Sequence, residues 1–176
     1  NILVIKLCAL GDMVQALGPM AAIRRYHADV QVTALTTKPY AAFLRASGFF
    51  DSVWVESRPS LLNVGAWIEL RRRFRDGDIG RVYDLQTSDR SGWYFRLFGN
   101  PRPEWSGIAV GCSHPHINPQ RDAMHTIERQ REQLAMAGID DVPAPDVGWA
   151  VADLDEYGLL SDYTLLVPGG ARHRPA

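Results

Sequence analysis

Apolar residues fall in short runs of β-branched and aliphatic type separated by longer stretches of helical spacing, the pattern of alternating strands and helices. Residues 2–7 and 30–36 are rich in Val, Ile, Leu and Thr with few interruptions, as parallel strands buried on both faces require. The first run stops at Leu10-Gly11-Asp12 and gives way to helical spacing, in which Gly18-Pro19 predicts a short turn from Asp12 and a main helix starting at Pro19. Further along, the pattern predicts a helix over 39–46, a break at Gly48 and a strand over 52–56. A loop follows at 57–62, then a helix through Trp67, Ile68, Leu70 and Phe74 that closes at Asp76-Gly77-Asp78. A strand over 81–85, a helix over 92–98 and a short strand over 104–108 continue the alternation. Residues 111–119, with prolines and glycines among polar residues, read as a loop. An amphipathic helix over 123–137 would turn Ile127, Leu134 and Ala137 to the sheet, and 140–146, with Pro143 and Pro145, reads as an exposed connection. Such alternation defines an α/β, Rossmann-like, doubly wound parallel sheet.

A carboxylate on the first strand-to-helix turn has a favourable address, because ligands of open α/β sheets gather beyond the carboxyl ends of the strands. Asp12 is therefore the leading candidate for chemistry. It has a plain structural reading as well, since Asp is a preferred helix N-cap. Gly11 allows positive φ or close approach of a ligand, and a turn alone also accounts for it. Lys6 at the strand end either reaches an anionic group or is simply solvated. Asp84 and Gln86 fall where the fourth strand ends, facing the same crevice, although Asp84 can equally cap a turn.

Composition narrows the field. The chain has 176 residues, 46% of them hydrophobic, enough for a real core, and a formal net charge of -1 that gives no reason to expect a nucleic-acid partner. Charge is nevertheless uneven: Arg71, Arg72, Arg73 and Arg75 form a basic run, either a solvated helix face or a contact with an anionic glycolipid or membrane surface. Cys8 and Cys112 show no metal or disulfide spacing, which predicts a reducing compartment, most simply the cytoplasm. Cys8 reads as a small buried residue rather than a nucleophile. No segment approaches the apolar length of a membrane-spanning helix, and no signal peptide is visible. His125 and Glu128 share a helix face without a third metal ligand, so capping or acceptor contact suits His125 better; His114 and His116 are a weaker metal pair.

Four segments, in order, carry a resemblance. They are the opening with Lys6 and Leu10-Gly11-Asp12, Tyr83-Asp84-Leu85-Gln86, His125-Thr126-Ile127-Glu128-Arg129, and Leu165-Leu166-Val167-Pro168-Gly169-Gly170-Ala171. Together they resemble the ADP-heptose:lipopolysaccharide heptosyltransferases, glycosyltransferase family 9. The resemblance implies the N-terminal half of a two-domain GT-B enzyme, with an acceptor-binding domain over 1–161 and the start of a truncated donor-binding domain over 162–176. It implies inverting transfer of heptose from ADP-heptose to the lipopolysaccharide inner core at the cytoplasmic membrane face. Asp12 would be the general base, and Lys6, Gly11, Gln86 and His125 would lie on the acceptor side. The helix N-terminus favours a charged carboxylate at Asp12, so proton transfer would come late.

Gly169, Gly170 and Arg172 would serve the donor phosphates, or else form an interdomain turn with a basic tail. No cofactor and no obligatory metal are expected. A strand over 163–167 and its turn, without a following helix, cannot bury themselves, so the chain reads as a fragment, itself inactive. The rivals are a noncatalytic carbohydrate- or protein-binding module and a dinucleotide-binding domain. The latter is disfavoured because Leu10-Gly11-Asp12-Met13-Val14-Gln15 lacks the three-glycine fingerprint.

Overall fold

The computed structural model describes residues 1–60 and 62–151, together with residues 158 and 164. The predicted domain boundary at 161/162, the strand over 163–167 and the turn with Gly169, Gly170 and Arg172 lie outside the described residues.

Strand β1 (Ile2–Ile5) is buried along its whole length because it is central, pairing in parallel with β2 (Val32–Thr36) on one side and β4 (Arg81–Asp84) on the other. Strand β3 (Ser52–Val55) forms one edge, and β5 (Glu104–Gly107) pairs with β4 on the other flank. The order β3-β2-β1-β4-β5-β6 completes a six-stranded parallel α/β sheet. The last strand, β6 (His114–Pro115), corrects the reading of 111–119 as loop alone. Its pairing rests on His116 N–H donating to the Gly107 carbonyl (2.8 Å) and on Ser113, whose Oγ accepts from Trp105 N–H (2.8 Å). Two bridging residues are too few to leave a period-2 signal.

One face of the sheet is covered by α1 (Leu10–Gln15), α2 (Leu17–Tyr26), α3 (Lys38–Ala46) and α6 (Thr126–Ala135), around Val4, Met13, Met20, Ile23, Tyr83 and Leu134. The other face is covered by α4 (Val64–Asp76) and α5 (Asp89–Tyr94), where Leu3, Ile5, Phe74, Tyr94, Phe98 and Trp105 form an aromatic-rich core. Phe74 and Phe98 stack at 4.6 Å between centroids, and Trp105 meets Phe95 edge-on at 5.3 Å.

Helix boundaries shift where capping outweighs apolar spacing. The predicted turn before Pro19 is helical from Leu10, and Pro19 sits in the first turn of α2, where its missing N–H costs nothing. Helix α5 starts ahead of the predicted Gly92 because Ser88 and Ser91 cap each other reciprocally. Helix α6 starts only at Thr126, since 118–124 is taken up by successive turns, and it closes in a Schellman arrangement with Gly138 at φ 87 and Ile139 N–H on the Leu134 carbonyl (2.9 Å). On that helix Ile127 is only half-buried; Gln130 and Gln133 join Leu134 in facing the sheet.

The segment after α6 is no free connection. Ile139 and Val142 are buried against the α2 side of the core, Trp149 packs on Phe43 (5.0 Å), and Arg25 donates to the Asp141 carbonyl (3.1 Å). Gly18 makes room for this return: a Cβ there would lie 2.2 Å from the Pro143 carbonyl oxygen, whereas one on Gly11 would meet nothing within 4 Å. Gly18→Ala is therefore expected to lower stability by roughly 1–3 kcal/mol, the scale of overpacking, while Gly11→Ala should be neutral or slightly stabilising. Urea denaturation of the two variants checks this, and equal midpoints would mean that the Pro143 backbone is free to move away.

Candidate active site

The strand order reverses direction of growth between β1 and β4, so the connections leaving these strands diverge and open a crevice at their carboxyl ends. Three groups from the first sequence segment line its β1 wall. Asp12 is exposed in the first turn of α1 and accepts from Ala9 N–H at 3.4 Å. It is thus the third helical residue, not the N-cap; Ala9 holds that position and offers no side-chain oxygen. This explains the turn without assigning Asp12 to capping alone, because the contact is long and the carboxylate remains open to solvent. Gly11 is also exposed and lies inside the helix with ordinary φ, so the positive-φ explanation for it falls and the open approach over its Cα remains.

Lys6 departs from the solvated reading. It is 3% exposed, and its Nζ donates to the Leu85 carbonyl at 3.3 Å. Burial lowers its pKa, while the Asp12 carboxylate, with smaller help from Cys8 and Asp84, pulls it back up; Arg129 pushes in the other direction. A buried ammonium thus stands behind the exposed carboxylate of Asp12.

On the β4 wall, Gln86 is committed to the scaffold. Its Oε1 accepts from Leu7 N–H (2.9 Å) and Cys8 N–H (3.2 Å), the first two backbone donors after β1 that the sheet leaves free. Asp84 is fully buried; its Oδ1 accepts from Gln86 N–H (3.1 Å) and Thr87 N–H (3.0 Å), forming the turn between β4 and α5. Its Oδ2 has no partner, and burial pushes its pKa up to about 6. Gly107 permits this packing, since a Cβ there would lie 3.0 Å from both the Asp84 Cβ and Trp105 Nε1.

Two residues missing from the expected site complete the wall. Gln133 Nε2 donates to the Asp84 carbonyl (3.0 Å) and the Ser106 carbonyl (3.2 Å), and Gln130 Nε2 reaches the Leu85 carbonyl (3.4 Å). Both amides fall on the apolar stripe of α6 between Ile127 and Leu134, and a polar residue on such a stripe is the signal that could have found them. His125, by contrast, is exposed and caps α6 through Nδ1, which accepts from Ile127 N–H at 3.4 Å. His114 and His116 do not converge: His114 pairs with Ser113 Oγ (2.9 Å), and buried His116 with Glu132 Oε1 (3.2 Å). Among the described residues no cluster of three His, Cys, Asp or Glu side chains could hold a metal ion.

Beside the crevice, the loop after β3 folds back so that Arg58 Nη2 lies 2.7 Å from Cys8 Sγ. Cys8 is half-buried rather than buried, and with Thr37, Lys38, Tyr40 and Arg58 it borders a cavity of about 550 Å³ carrying two exposed cations.

A parallel sheet of this order, helices on both faces and a crevice at the β1/β4 reversal make a Rossmann-like doubly wound domain, whose fold is that of one half of GT-B glycosyltransferase structures. In particular, the chain superposes on the glycosyltransferase family 9 structure from Veillonella parvula DSM 2008 with TM-score 0.73 and 14% identity, over 91% of this chain and 50% of that one. For E. coli ADP-heptose lps heptosyltransferase II the values are 0.66 and 14%, over 92% and 51%. For E. coli heptosyltransferase WaaC with ADP-2-deoxy-2-fluoro heptose they are 0.63 and 15%, over 85% and 52%. At these identities the likeness is one of fold, and the chain spans about half the length of each of these structures. No protein-family model matches the chain, and no curated protein matches it.

The Asp84 site has a consequence for stability. A carboxyl whose pKa is about 6 when folded and about 4 when unfolded holds more protons in the folded state between those values, so stability falls as pH rises through the window. Asp84→Asn keeps an acceptor for Gln86 and Thr87 and cannot ionise. Its stability relative to wild type should therefore improve by on the order of 2–3 kcal/mol between pH 4 and pH 7. Chemical denaturation across that range measures it; a difference that is flat, or that shrinks with pH, would mean the ionised carboxylate is favourably held.

Proposed function

We propose that this chain is the acceptor-binding half of an inverting glycosyltransferase that moves heptose from ADP-heptose to the inner core of lipopolysaccharide. The observation that carries the reading is the exposed Asp12 carboxylate at the β1/β4 reversal, backed by the buried Lys6 ammonium, on a fold shared with three bacterial sugar transferases. In the proposed step an acceptor hydroxyl lies over Gly11, where no side chain obstructs it, and attacks the anomeric carbon of the donor. A carbon–oxygen bond forms to the acceptor as the bond to the ADP phosphate breaks, and the nucleotide leaves with the electron pair. Asp12 takes the hydroxyl proton.

The two cations Lys38 and Arg58, at the rim of the adjoining cavity, suit an acceptor rich in carboxylate or phosphate. Gln86 then acts by fixing the Leu7–Cys8 backbone beneath the acceptor, and His125 by setting the start of α6. Donor phosphates belong in this reading to the other half of the protein, with Gly169, Gly170 and Arg172 at its beginning. The charge on the leaving nucleotide is met by protein groups, without an obligatory metal.

The direct assay presents the full-length protein with a panel of nucleotide sugars and truncated lipopolysaccharide acceptors and measures nucleotide release. ADP release dependent on both ADP-heptose and acceptor is the expected result. Asp12→Asn should leave donor affinity and thermal stability near wild type while lowering turnover by on the order of 10² or more, as befits loss of a general base. Wild-type turnover at saturating acceptor would remove Asp12 from the chemistry.

A further inference from the structure

Helix α4 exposes apolar side chains that the core does not use. Leu70 and Phe74 supply its buried face, yet Val64 and Ile68 are 62% and 63% exposed, and Leu62 just before the helix is 91% exposed. Val64, Ile68, Arg71, Arg72 and Arg75 stand at i, i+4, i+7, i+8 and i+11, so they form one stripe, apolar over its first half and basic over its second. Beside it on α5, Trp93 is 56% exposed with the Arg96 guanidinium 5.4 Å from its ring. Trp67, Trp93 and Leu97 line a groove of about 470 Å³ between the two helices.

The charge on this face is mostly basic, although exposed Asp89 also borders the groove. Glu69 and Asp76 are the acidic residues of α4, and Asp76 holds only exposed pairs with Arg72 (3.5 Å) and Arg75 (3.4 Å), which contribute little in water. Arg73 turns aside over Trp54 (4.8 Å), and Arg71 makes no ion pair among the described residues. An apolar strip with an aromatic edge, continuous with arginines, matches the acyl boundary and phosphate layer of a membrane surface. Among the described residues no helix is long and apolar enough to cross a membrane, so contact from these elements would be peripheral.

We infer that Leu62, Val64, Ile68 and Trp93, with Arg71, Arg72 and Arg75, dock this protein on an anionic bilayer. Helices α4 and α5 both begin at the carboxyl edge of the sheet, so the apolar half of the stripe lies on the crevice side and the arginines away from it. Docking this face holds the Asp12 crevice near the bilayer rather than turned to bulk water. The inference goes beyond the transfer reading and stands without it.

The test is co-sedimentation of the intact protein with vesicles of phosphatidylcholine alone and of phosphatidylcholine mixed with phosphatidylglycerol, across a salt series. Wild type should bind the mixed vesicles at low salt, release as salt rises, and ignore the neutral ones. Arg71→Gln, Arg72→Gln and Arg75→Gln should each weaken binding by about fivefold. Ile68→Glu should weaken it at least as much, with unchanged circular dichroism because the position is exposed. Equal binding to both vesicle types, or wild-type binding by Ile68→Glu, would overturn the inference. So would self-association that Ile68→Glu abolishes in a protein that ignores vesicles, since a second copy would then be the occupant. Transfer to a water-soluble truncated acceptor should be the same for Ile68→Glu and wild type, so failure of docking and failure of the transfer reading remain distinguishable.

Discussion

The parallel pairing of β1 with β4 is the constraint on which the rest depends. It brings residues 2–5 against 81–84 in register, and the chain leaves the two strands in opposite directions along the sheet. Backbone donors just past the end of β1 are then left without a strand partner, and an unpaired buried N–H is costly. Gln86 resolves this by lending one amide oxygen to both Leu7 and Cys8. The conformation of the Asp12 turn is thereby set from β4, nearly eighty positions away in sequence, as well as from its own helix.

Beneath the crevice lies a layer of buried polar groups, which is unusual cargo for a sheet edge. Lys6, Asp84, Gln130, Gln133 and Ser106 are all buried, and most of their hydrogen bonds go to strand-end carbonyls. Such carbonyls would ordinarily meet water. Here α6 covers them, so side chains must replace the solvent; burial lowers the Lys6 pKa, and the Asp12 carboxylate offsets part of that shift. The layer is not fully satisfied: Asp84 Oδ2, Gln130 Oε1 and Gln133 Oε1 lack protein partners. Its energy is accordingly sensitive to protonation, which the raised Asp84 pKa expresses.

How far the sequence discloses this arrangement depends on which force sets each feature. Strands β1, β2 and β4 are buried on both faces, so their apolar runs were legible, as were the helices whose stripes are purely apolar. Boundaries governed by polar capping were not, as the earlier start of α5 at Asp89 and the later start of α6 at Thr126 illustrate. The two-residue β6 depends on Ser113 and His116, contacts with no local pattern. Asp12, Asp84 and Gln86 fall near one another at the strand ends, as the topology of a doubly wound sheet dictates, but Asp84 is buried in the turn after β4 and Gln86 is bonded to the Leu7–Cys8 backbone. Of the two readings of Lys6 the solvated one does not hold, since its side chain is buried and donates to the Leu85 carbonyl, remote in sequence. Gly11 drew a backbone explanation that α1 makes unnecessary, and Pro143 drew a linker reading that Gly18 overturns by leaving room for it.

Within the layer of α4 and α5, the two helices are also tied to the loop that follows β3. Glu56, at the end of β3, has a side chain only 2% exposed and lies 3.6 Å from Arg90 on α5. Arg90 in turn donates to the Pro59 carbonyl (3.2 Å) and sits over the Trp67 ring of α4 (5.6 Å). A buried carboxylate without its cation is strongly disfavoured, so this contact resists separation of α5 from the 56–60 backbone. That same backbone carries Arg58 onto Cys8. A continuous chain of contacts thus runs from Trp67 on α4 through Arg90 and the 56–60 backbone to Arg58 and Cys8 beside the crevice.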